Sequence, residues 1–458
     1  MLTKIFLKEF LPMKTRKILA LLMAVLMLVG CLAACGGDGG STTETQAASG
    51  STGEAVVTES WTEEQIAQMG EAIKGEAGGS AVSLKIWGPE LAQDVLKSQA
   101  EAFKALFADY ADINLEVAVQ GENDAAANII NDPKAAADVF GFPSDQLTKL
   151  NNANALAECY FPENVTADNT AASVAAASVD GKVMAYPETG DNSYILVYDK
   201  SLVSDEQAKS LEGVFEACEA AKKKFIMDSG NGFFTCMYLY TGGLVTEGFE
   251  EDGMTQKFND YDINQVTASV KAFADLFTAN KDYFESADTT AVADGFKNGT
   301  TAAGIAGSWN IAAVKEALGD NAGFAILPTI NINGTDTQII NMFGYKFIGV
   351  NSQSAYPITA QILAYYLTNE DCQMQRAEKL DWAPSNAAAQ DSDFVKNNAS
   401  MSALMAQTEF SIPQTALAGT FWDPLAALGT YMIEPTNDFS TEAVQAEVEA
   451  CIAGIRDE

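Results

Sequence analysis

The segment from residue 82 to residue 143 constrains the fold most, because it alternates short apolar strands with helical stretches. Its strand-like runs lie at 82–86, 113–119 and 138–142, and its helical stretches lie at 91–106 and 125–130. Such a β-α-β-α-β series predicts a mainly parallel sheet with helices on both faces. Ligands of such sheets bind at the carboxyl ends of the strands. We therefore expect an α/β fold whose binding residues lie just after strands.

Polar and aromatic residues occupy several of these strand-end positions. Trp87 and Glu90 follow the first strand, and Ser144 and Asp145 follow the third. A carboxylate accepts hydrogen bonds from ligand hydroxyls, and a tryptophan offers a flat apolar face. We predict that these four residues contact a ligand.

Three tryptophans share a similar setting. Trp87, Trp309 and Trp422 each follow an apolar strand or loop and lie beside Gly, Ser or Asp. A single tryptophan is more often a core residue than a ligand platform. Their common position after strands favours side chains that face a crevice.

Residues 181–200 predict two strands separated by a break. Pro187 removes a ladder donor, and Gly190 is a turn residue ahead of the second apolar run. A break of this kind can join two lobes, and the carboxylates of Glu188 and Asp191 would then face the cleft between them. The alternative is a surface turn with solvated acids.

Composition excludes several functions. The chain has 458 residues, 48% of them hydrophobic, which suits two or three folded domains. Its net charge of −35 argues against binding nucleic acid. The absence of His removes His-based triads, the usual metallohydrolase pairs and zinc fingers, and we expect no metal and no cofactor. The cysteines beyond the leader are scattered singly and allow at most a partial disulfide pattern: Cys159, Cys218, Cys236, Cys372 and Cys451.

The first 34 residues resemble a bacterial lipoprotein signal peptide. A basic region begins at Met13, which is an alternative start to Met1, and an apolar run ends at Leu-Ala-Ala-Cys35. In lipoproteins the peptidase cuts before the cysteine, which then carries the lipid, and Cys31 is a weaker candidate. The alternative is a transmembrane helix, but the apolar run is short for a bilayer span. Residues 35–80 are predicted to form a flexible tether with one short helix.

Beyond the tether, the sequence resembles the solute-binding proteins of ABC sugar importers, the maltose and maltodextrin group in particular. The motifs that carry the resemblance are Leu-Lys-Ile-Trp87-Gly-Pro, Val-Phe-Gly-Phe-Pro-Ser-Asp145, Tyr-Pro187, Gly-Ser-Trp309-Asn and Ile-Pro-Gln with Phe-Trp422. The resemblance implies two doubly wound α/β lobes joined by hinge strands, with the ligand in the cleft between them. The first lobe would comprise 81–188 and 332–384, and the second 192–328 and 388–458.

The resemblance also implies roles for individual residues. Asp145 and Asp191 resemble the acids that bind sugar hydroxyls, and Trp309 and Trp422 resemble the stacking platforms. Phe233 matches a position that is usually aromatic, and the loop before it contributes Asn231. Two positions depart from the pattern: Gln146 replaces a basic partner of the acid, and Asn231-Gly232 replaces an acid followed by Pro.

The resemblance implies a lipid-anchored receptor on the extracytoplasmic face of a bacterial membrane. A monomer would bind a maltodextrin-type oligosaccharide and deliver it to a permease, without catalysing a reaction. A surface glycoside hydrolase is the alternative, since acids and tryptophans in a cleft also describe that class. An adhesin, which has no need of closing lobes, is a third reading. The sequence does not specify the sugar, its linkage or the permease.

Overall fold

A computed structural model of the protein describes residues 60–456. The predicted signal peptide, the candidate lipidation site Cys35 and the tether up to residue 59 lie outside the described residues. None of the helices within 60–456 combines the length and apolar content needed to span a membrane.

The strands alternate with helices along the chain, as the sequence pattern predicts. The strands are β1 Val82–Gly88, β2 Ile113–Val119, β3 Val139–Pro143, β4 Ser178–Val179, β5 Lys182–Val183, β6 Tyr186–Asn192, β7 Tyr194–Asp199, β8 Lys224–Met227, β9 Thr246–Phe249, β10 Gln256–Phe258, β11 Phe284–Ser286, β12 Thr301–Gly307, β13 Ala322–Ala325, β14 Thr329–Ile332, β15 Thr335–Gln338, β16 Asn341–Val350 and β17 Ser411–Pro413. The helices are α1 Glu63–Ala77, α2 Gln93–Leu106, α3 Glu122–Asn131, α4 Leu147–Asn152, α5 Pro162–Asp168, α6 Ala171–Ala176, α7 Leu211–Ala221, α8 Gly232–Thr241, α9 Ile263–Ala279, α10 Thr289–Lys297, α11 Ile311–Leu318, α12 Pro357–Leu367, α13 Glu370–Leu380, α14 Ala387–Asp391, α15 Asp393–Asn397, α16 Ala399–Gln407, α17 Trp422–Ile433 and α18 Thr441–Arg456.

Two sheets define two lobes. The first lobe is built on a sheet of order β17-β16-β3-β1-β2, in which β6 also pairs with β16. Strand β1 is parallel to β2 and β3, whereas β16 is antiparallel to β3 and β6. The second lobe is built on a sheet of order β11-β8-β12-β7-β13. Helices cover both sheets, so the chain has the predicted α/β fold of two doubly wound lobes.

Each lobe buries its own apolar core. Helices α2 and α12 pack on the first sheet through side chains such as Phe103 and Leu363. Helices α7, α8, α9, α17 and α18 enclose the largest apolar cluster of the second lobe, which includes Phe215, Phe273 and Leu425. Separate cores allow the lobes to move as units if the connections between them bend.

The connections between the lobes lie close together. Ser193 alone separates β6 in the first sheet from β7 in the second. Its Oγ donates a hydrogen bond to the carbonyl of Met342 at 2.9 Å and accepts one from Asn341 Nδ2 at 3.0 Å. The first crossing is therefore bonded to the start of β16, where the chain re-enters the first sheet.

The second crossing does not lie between residues 328 and 332, where the lobe boundaries expected from the sequence place it. The hairpin of β14 and β15 follows Pro328, and it packs on the second lobe. The Oγ1 of Thr329 donates to the carbonyl of Lys209 at 3.2 Å, and the backbone N–H of Asn331 donates to Glu212 at 2.9 Å. The chain therefore crosses at residues 339–340, between β15 and β16.

Helix α1 belongs to the first lobe rather than to a free tether. Trp61, just before the helix, is 6% exposed and stacks on Tyr365 with ring centroids 5.2 Å apart. The Thr62 side chain caps the helix, and Gln65 completes the capping box. The sequence pattern suggested that the folded body begins near Ala81. In the structure it begins about 20 residues earlier.

Candidate ligand-binding site

A cavity of about 530 Å³ lies between the two lobes. The first lobe contributes polar residues that follow or lie within its strands, and the second contributes mainly aromatic residues. The residues that line the cavity include Pro89, Leu91, Glu122, Asp124, Asp145, Gln146, Lys346 and Trp382 from the first lobe, Asn231, Phe233, Phe234, Trp309 and Trp422 from the second, and Asn192 and Gln414 near the crossings.

The second lobe presents an aromatic wall. Trp309 lies in the short turn after β12, Phe233 in the first turn of α8, and Trp422 at the start of α17. The Phe233 ring centroid is 5.9 Å from Trp309 and 6.2 Å from Trp422. All three side chains are partly buried and line the cavity. The wall thus offers several apolar faces in one place.

Two local features hold this wall in position. The Oδ1 of Asn231 accepts a hydrogen bond from the Phe233 N–H at 3.0 Å and so caps helix α8. Gly232 lies against the backbone of Trp422, and a Cβ there would come within 3.1 Å of the Trp422 Cα. A residue without a side chain is therefore needed for α8 and α17 to approach.

The first lobe presents a carboxylate, Asp145, in the turn after β3. Nε2 of Gln146 donates to its Oδ2 at 2.8 Å, and Nε2 of Gln414 donates to its Oδ1 at 3.1 Å. Burial raises the pKa of Asp145 from 3.8 to about 6, although hydrogen bonds from Gln146 and from the Trp422 side chain oppose the shift. An amide thus stands where related proteins were expected to have a cation.

A buried ion pair lies beside this carboxylate. Lys346 Nζ is 2.8 Å from Glu122 Oε2, with the side chains 6% and 11% exposed. The ammonium also lies 4.5 Å from the Trp382 ring centroid and 5.9 Å from that of Trp309 on the other lobe. Burial lowers the pKa of Lys346, but Glu122, Asp191 and Glu188 outweigh this effect and raise it overall. The lysine therefore stays charged within the cavity.

The structure brings five of the nine predicted binding residues to the cavity. They are Asp145, Asn231, Phe233, Trp309 and Trp422. Three of them follow strands, so the expectation of a site at strand ends identified this part of the cavity.

Trp87 and Glu90 do not line the cavity. The Trp87 side chain packs against an apolar cluster of the first lobe that includes Phe140, because it points to a helix-covered face of the sheet. Glu90 is exposed at the start of a short turn, and its neighbours Pro89 and Leu91 line the cavity instead. The strand end was identified correctly, but Pro89 and Leu91 line the cavity in place of the two predicted residues.

Ser144 and Asp191 are buried behind the cavity. Ser144 Oγ donates to the backbone carbonyl of Gln414 at 2.8 Å. Asp191 is 1% exposed, and its Oδ2 accepts from the backbone N–H of Ala383 at 2.7 Å. Burial raises the pKa of Asp191 from 3.8 to about 6, against the influence of Lys346. Asp191 therefore fixes the chain near the crossing and does not contact the space where a ligand fits.

Sequence reasoning missed several lining residues, notably Lys346, Trp382 and Gln414. Lys346 is the one charged residue in the apolar run of β16, and this isolation was a signal that could have been used. Gln414 ends the Ile-Pro-Gln motif that contributes to the resemblance, but no binding role was predicted for it. Its role depends on the pairing of β17 with β16, which sequence patterns did not predict.

Two α/β lobes with a cavity between them at their crossings define a binding protein of the two-lobe type. A family model for bacterial extracellular solute-binding proteins matches residues 98–403. The chain therefore belongs to this family, whose members are binding proteins rather than enzymes. A comparison with curated protein sequences finds no match.

Solved structures show the same architecture. One, described as a complex with acarbose, has a TM-score of 0.73 at 28% identity, covering 82% of this chain and 99% of the other. A maltodextrin-binding protein from L. casei BL23 without ligand has a TM-score of 0.69 at 22% identity, with the same coverage. A maltotriose-binding protein from Thermus thermophilus has a TM-score of 0.68 at 18% identity, again with coverage of 82% and 99%.

Proposed function

We propose that this protein binds maltose- or maltodextrin-type oligosaccharides and delivers them to an ABC permease, as the lipid-anchored substrate-binding component of the transporter. The observation that carries the proposal is the pairing of an aromatic wall on one lobe with hydrogen-bonding groups on the other. Trp309 and Trp422 would cover the apolar faces of sugar rings, while Asp145 would accept hydrogen bonds from their hydroxyls.

The size of the cavity supports this assignment. Its volume of about 530 Å³ falls in the usual range of about 300–1,000 Å³ for small-molecule sites. Solved structures that share this fold contain acarbose, maltotetraose or maltotriose as ligands. We include Asn231 and Phe233 in the proposed site and leave out the four residues that lie away from the cavity.

The anchoring and the partners are part of the proposal. Lipid attachment at Cys35, delivery to the transmembrane subunits and a monomeric state rest on the sequence. We also revise the lobe boundaries, to 60–192, 341–384 and 411–413 for the first lobe and to 194–338, 388–410 and 415–456 for the second.

Calorimetry with α-linked and β-linked oligosaccharides of two to six units tests the function. We expect one sugar per protein and a preference for the α-linked series. Failure of every α-linked sugar to bind would contradict the assignment. Incubation with maltotetraose tests the enzymatic alternative, because a binding protein releases no new reducing ends, whereas a glycoside hydrolase does.

A further inference from the structure

Gln414 occupies the meeting point of the segments that connect the lobes. It follows β17, which pairs with the start of β16. Its backbone N–H donates to the carbonyl of Phe343 at 2.7 Å, and its own carbonyl accepts from Ser144 Oγ at 2.8 Å. The residue is 4% exposed. Its backbone is thus fixed on both sides, independently of any ligand.

The side chain of Gln414 joins two further segments. Its Oε1 accepts a hydrogen bond from Asn192 Nδ2 at 2.6 Å, next to the crossing at Ser193. Its Nε2 donates to Oδ1 of Asp145 at 3.1 Å. Gly344 leaves the space for this amide, because a Cβ at that position would clash with the Gln414 Oε1. The amide is therefore held at both ends, and only one orientation satisfies both partners.

We propose that Gln414 is a positioning residue for sugar binding, which orients the Asp145 carboxylate toward the cavity and links it to the crossing at Asn192. The proposal rests on the proposed function, in which Asp145 contacts the ligand. Gln146 and Gln414 donate to different oxygens of Asp145, so the plane of the carboxylate is fixed. The two amides occupy two of the about four acceptor sites of the carboxylate.

Two amides orient the carboxylate without neutralising it. A cation at either position would hold Asp145 as a salt-bridged group, whereas an amide leaves its charge available to the ligand. The charged residues around the same space are Lys149, one turn along α4 from Asp145, and Glu122, Asp124 and Lys346 in the cavity lining. Lys346 is already paired with Glu122. Replacing the Gln414 amide by a carboxylate would therefore act directly on Asp145.

The test uses Gln414→Glu, which keeps the shape but replaces the donor by a carboxyl group. Affinity for maltotetraose is measured by calorimetry between pH 5 and pH 8. Wild-type affinity should fall below about pH 6, because Asp145 then takes up a proton. The variant should bind about 10-fold more weakly at pH 8 and recover as the pH falls, because one proton shared by the two carboxyl groups restores their hydrogen bond. The opposite slopes are the signature of the proposed role.

Gln99→Glu is the matched control, since Gln99 is 1% exposed and its Nε2 donates to the Cys372 carbonyl at 3.0 Å in the first lobe, away from the cavity. It should keep the wild-type pH slope. A wild-type dependence of affinity on pH in Gln414→Glu would overturn the proposal. Gln414→Leu removes the donor without adding a carboxyl group, and it should bind more weakly than the wild type at every pH.

A second measurement needs no sugar. The infrared carboxylate signal of Asp145, isolated by subtracting Asp145→Asn, should titrate at higher pH in Gln414→Glu than in the wild type. An unchanged titration would overturn the positioning role even if sugars bind. If no sugar binds but the titration shifts, the proposed function is wrong, whereas the hydrogen bond from Gln414 to Asp145 is supported.

Discussion

Lys346 and Glu122 form an ion pair of 2.8 Å in the lining of the cavity, and neither side chain is more than 11% exposed. Glu188 and Asp191 lie close enough to influence the same lysine. Arg376, 3.0 Å from Glu188, supplies the other positive charge of this cluster. The cluster therefore contains three carboxyl groups and two cations, beside the strands that connect the lobes.

Removing the lysine should destabilise the fold. Lys346→Met leaves Glu122 buried without a partner, and breaking a buried pair in this way typically costs about 3–5 kcal/mol. Urea denaturation should show a correspondingly smaller free energy of unfolding. Lys182→Met is the control, because the Lys182–Glu158 pair is 60% and 51% exposed, and such pairs contribute about 0–1 kcal/mol. Equal losses in the two variants would contradict this account of the cluster.

Stability should increase when the pH falls from 7 to 5. Burial raises the pKa of Asp191 from 3.8 to about 6, so between pH 4 and 6 the folded state binds more protons than the unfolded state. Linkage then makes the free energy of unfolding rise as the pH falls, by about 1.4 kcal/mol between pH 7 and pH 5 and by about 3 kcal/mol in total once the pH is below both pKa values. Asp145 contributes in the same direction.

The variant Asp191→Asn isolates this contribution. Its amide oxygen can still accept the Ala383 N–H, but it has no proton to gain, so the rise in stability between pH 7 and pH 5 should be smaller than in the wild type. Urea denaturation at several pH values measures the slope. Asp252, Asp288 and Asp438 have lowered pKa values and act in the opposite direction, below about pH 4. An identical slope in the variant would show that Asp191 does not titrate as described.

The sequence predicted the parts of the fold and site that depend on local patterns, and it did not predict those that depend on contacts between distant segments. The strands β1, β2 and β3 and the turn holding Asp145 were predictable, because periodicity and turn residues are local signals. The burial of Asp191 was not, since its partner Ala383 is far away in the sequence. The same holds for Lys346, whose charge is compensated by Glu122 from another segment. Long-range polar pairing determined which acids face the cavity, and no local pattern encodes it.

Binding should depend on the two tryptophans more than on any single acid. Trp309→Ala and Trp422→Ala each remove a large aromatic face from the cavity, and we expect each to cost about 2–4 kcal/mol of binding free energy. Asp145→Asn should cost less, about 1–3 kcal/mol, because it keeps one acceptor oxygen. Calorimetry with maltotetraose measures all three. Trp87→Phe, outside the cavity lining, should bind normally, and normal binding by both alanine variants would place the tryptophans in the core instead.

Lipid attachment should depend on Cys35. The apolar run of the leader ends against Leu-Ala-Ala-Cys35, and a Gly- and Ser-rich stretch follows. Cells expressing the protein and grown with labelled palmitate should incorporate label into the wild type and not into Cys35→Ser, which should be released into the medium. Cys31→Ser is the matched control and should remain labelled. Label that persists in Cys35→Ser but disappears in Cys31→Ser would move the site.

Sugar binding should bring the lobes together by bending at Ser193 and residues 339–340. The sequence placed the break between the lobes at Pro187 and Gly190, but in the structure both residues belong to strand β6, which pairs with β16. Ser193 is the residue between the sheets, and its hydrogen bonds to Asn341 and Met342 hold the two crossings side by side. Bending of adjacent crossings moves the lobes as rigid units. Ligand contacts from both lobes supply the differential affinity that closure requires.

Small-angle scattering should therefore show a smaller radius of gyration with saturating maltotetraose. Engineered cysteines can report the same motion, because the five native cysteines in residues 60–456 are buried. Leu91→Cys and Gly230→Cys lie on opposite lobes at exposed positions beside the cavity, and their cross-linking should become faster with sugar. Leu91→Cys with Asn123→Cys, both on the first lobe, should cross-link at an unchanged rate. If sugar binds while the radius and both rates stay the same, the protein is a rigid receptor, and Ser193 is not a hinge.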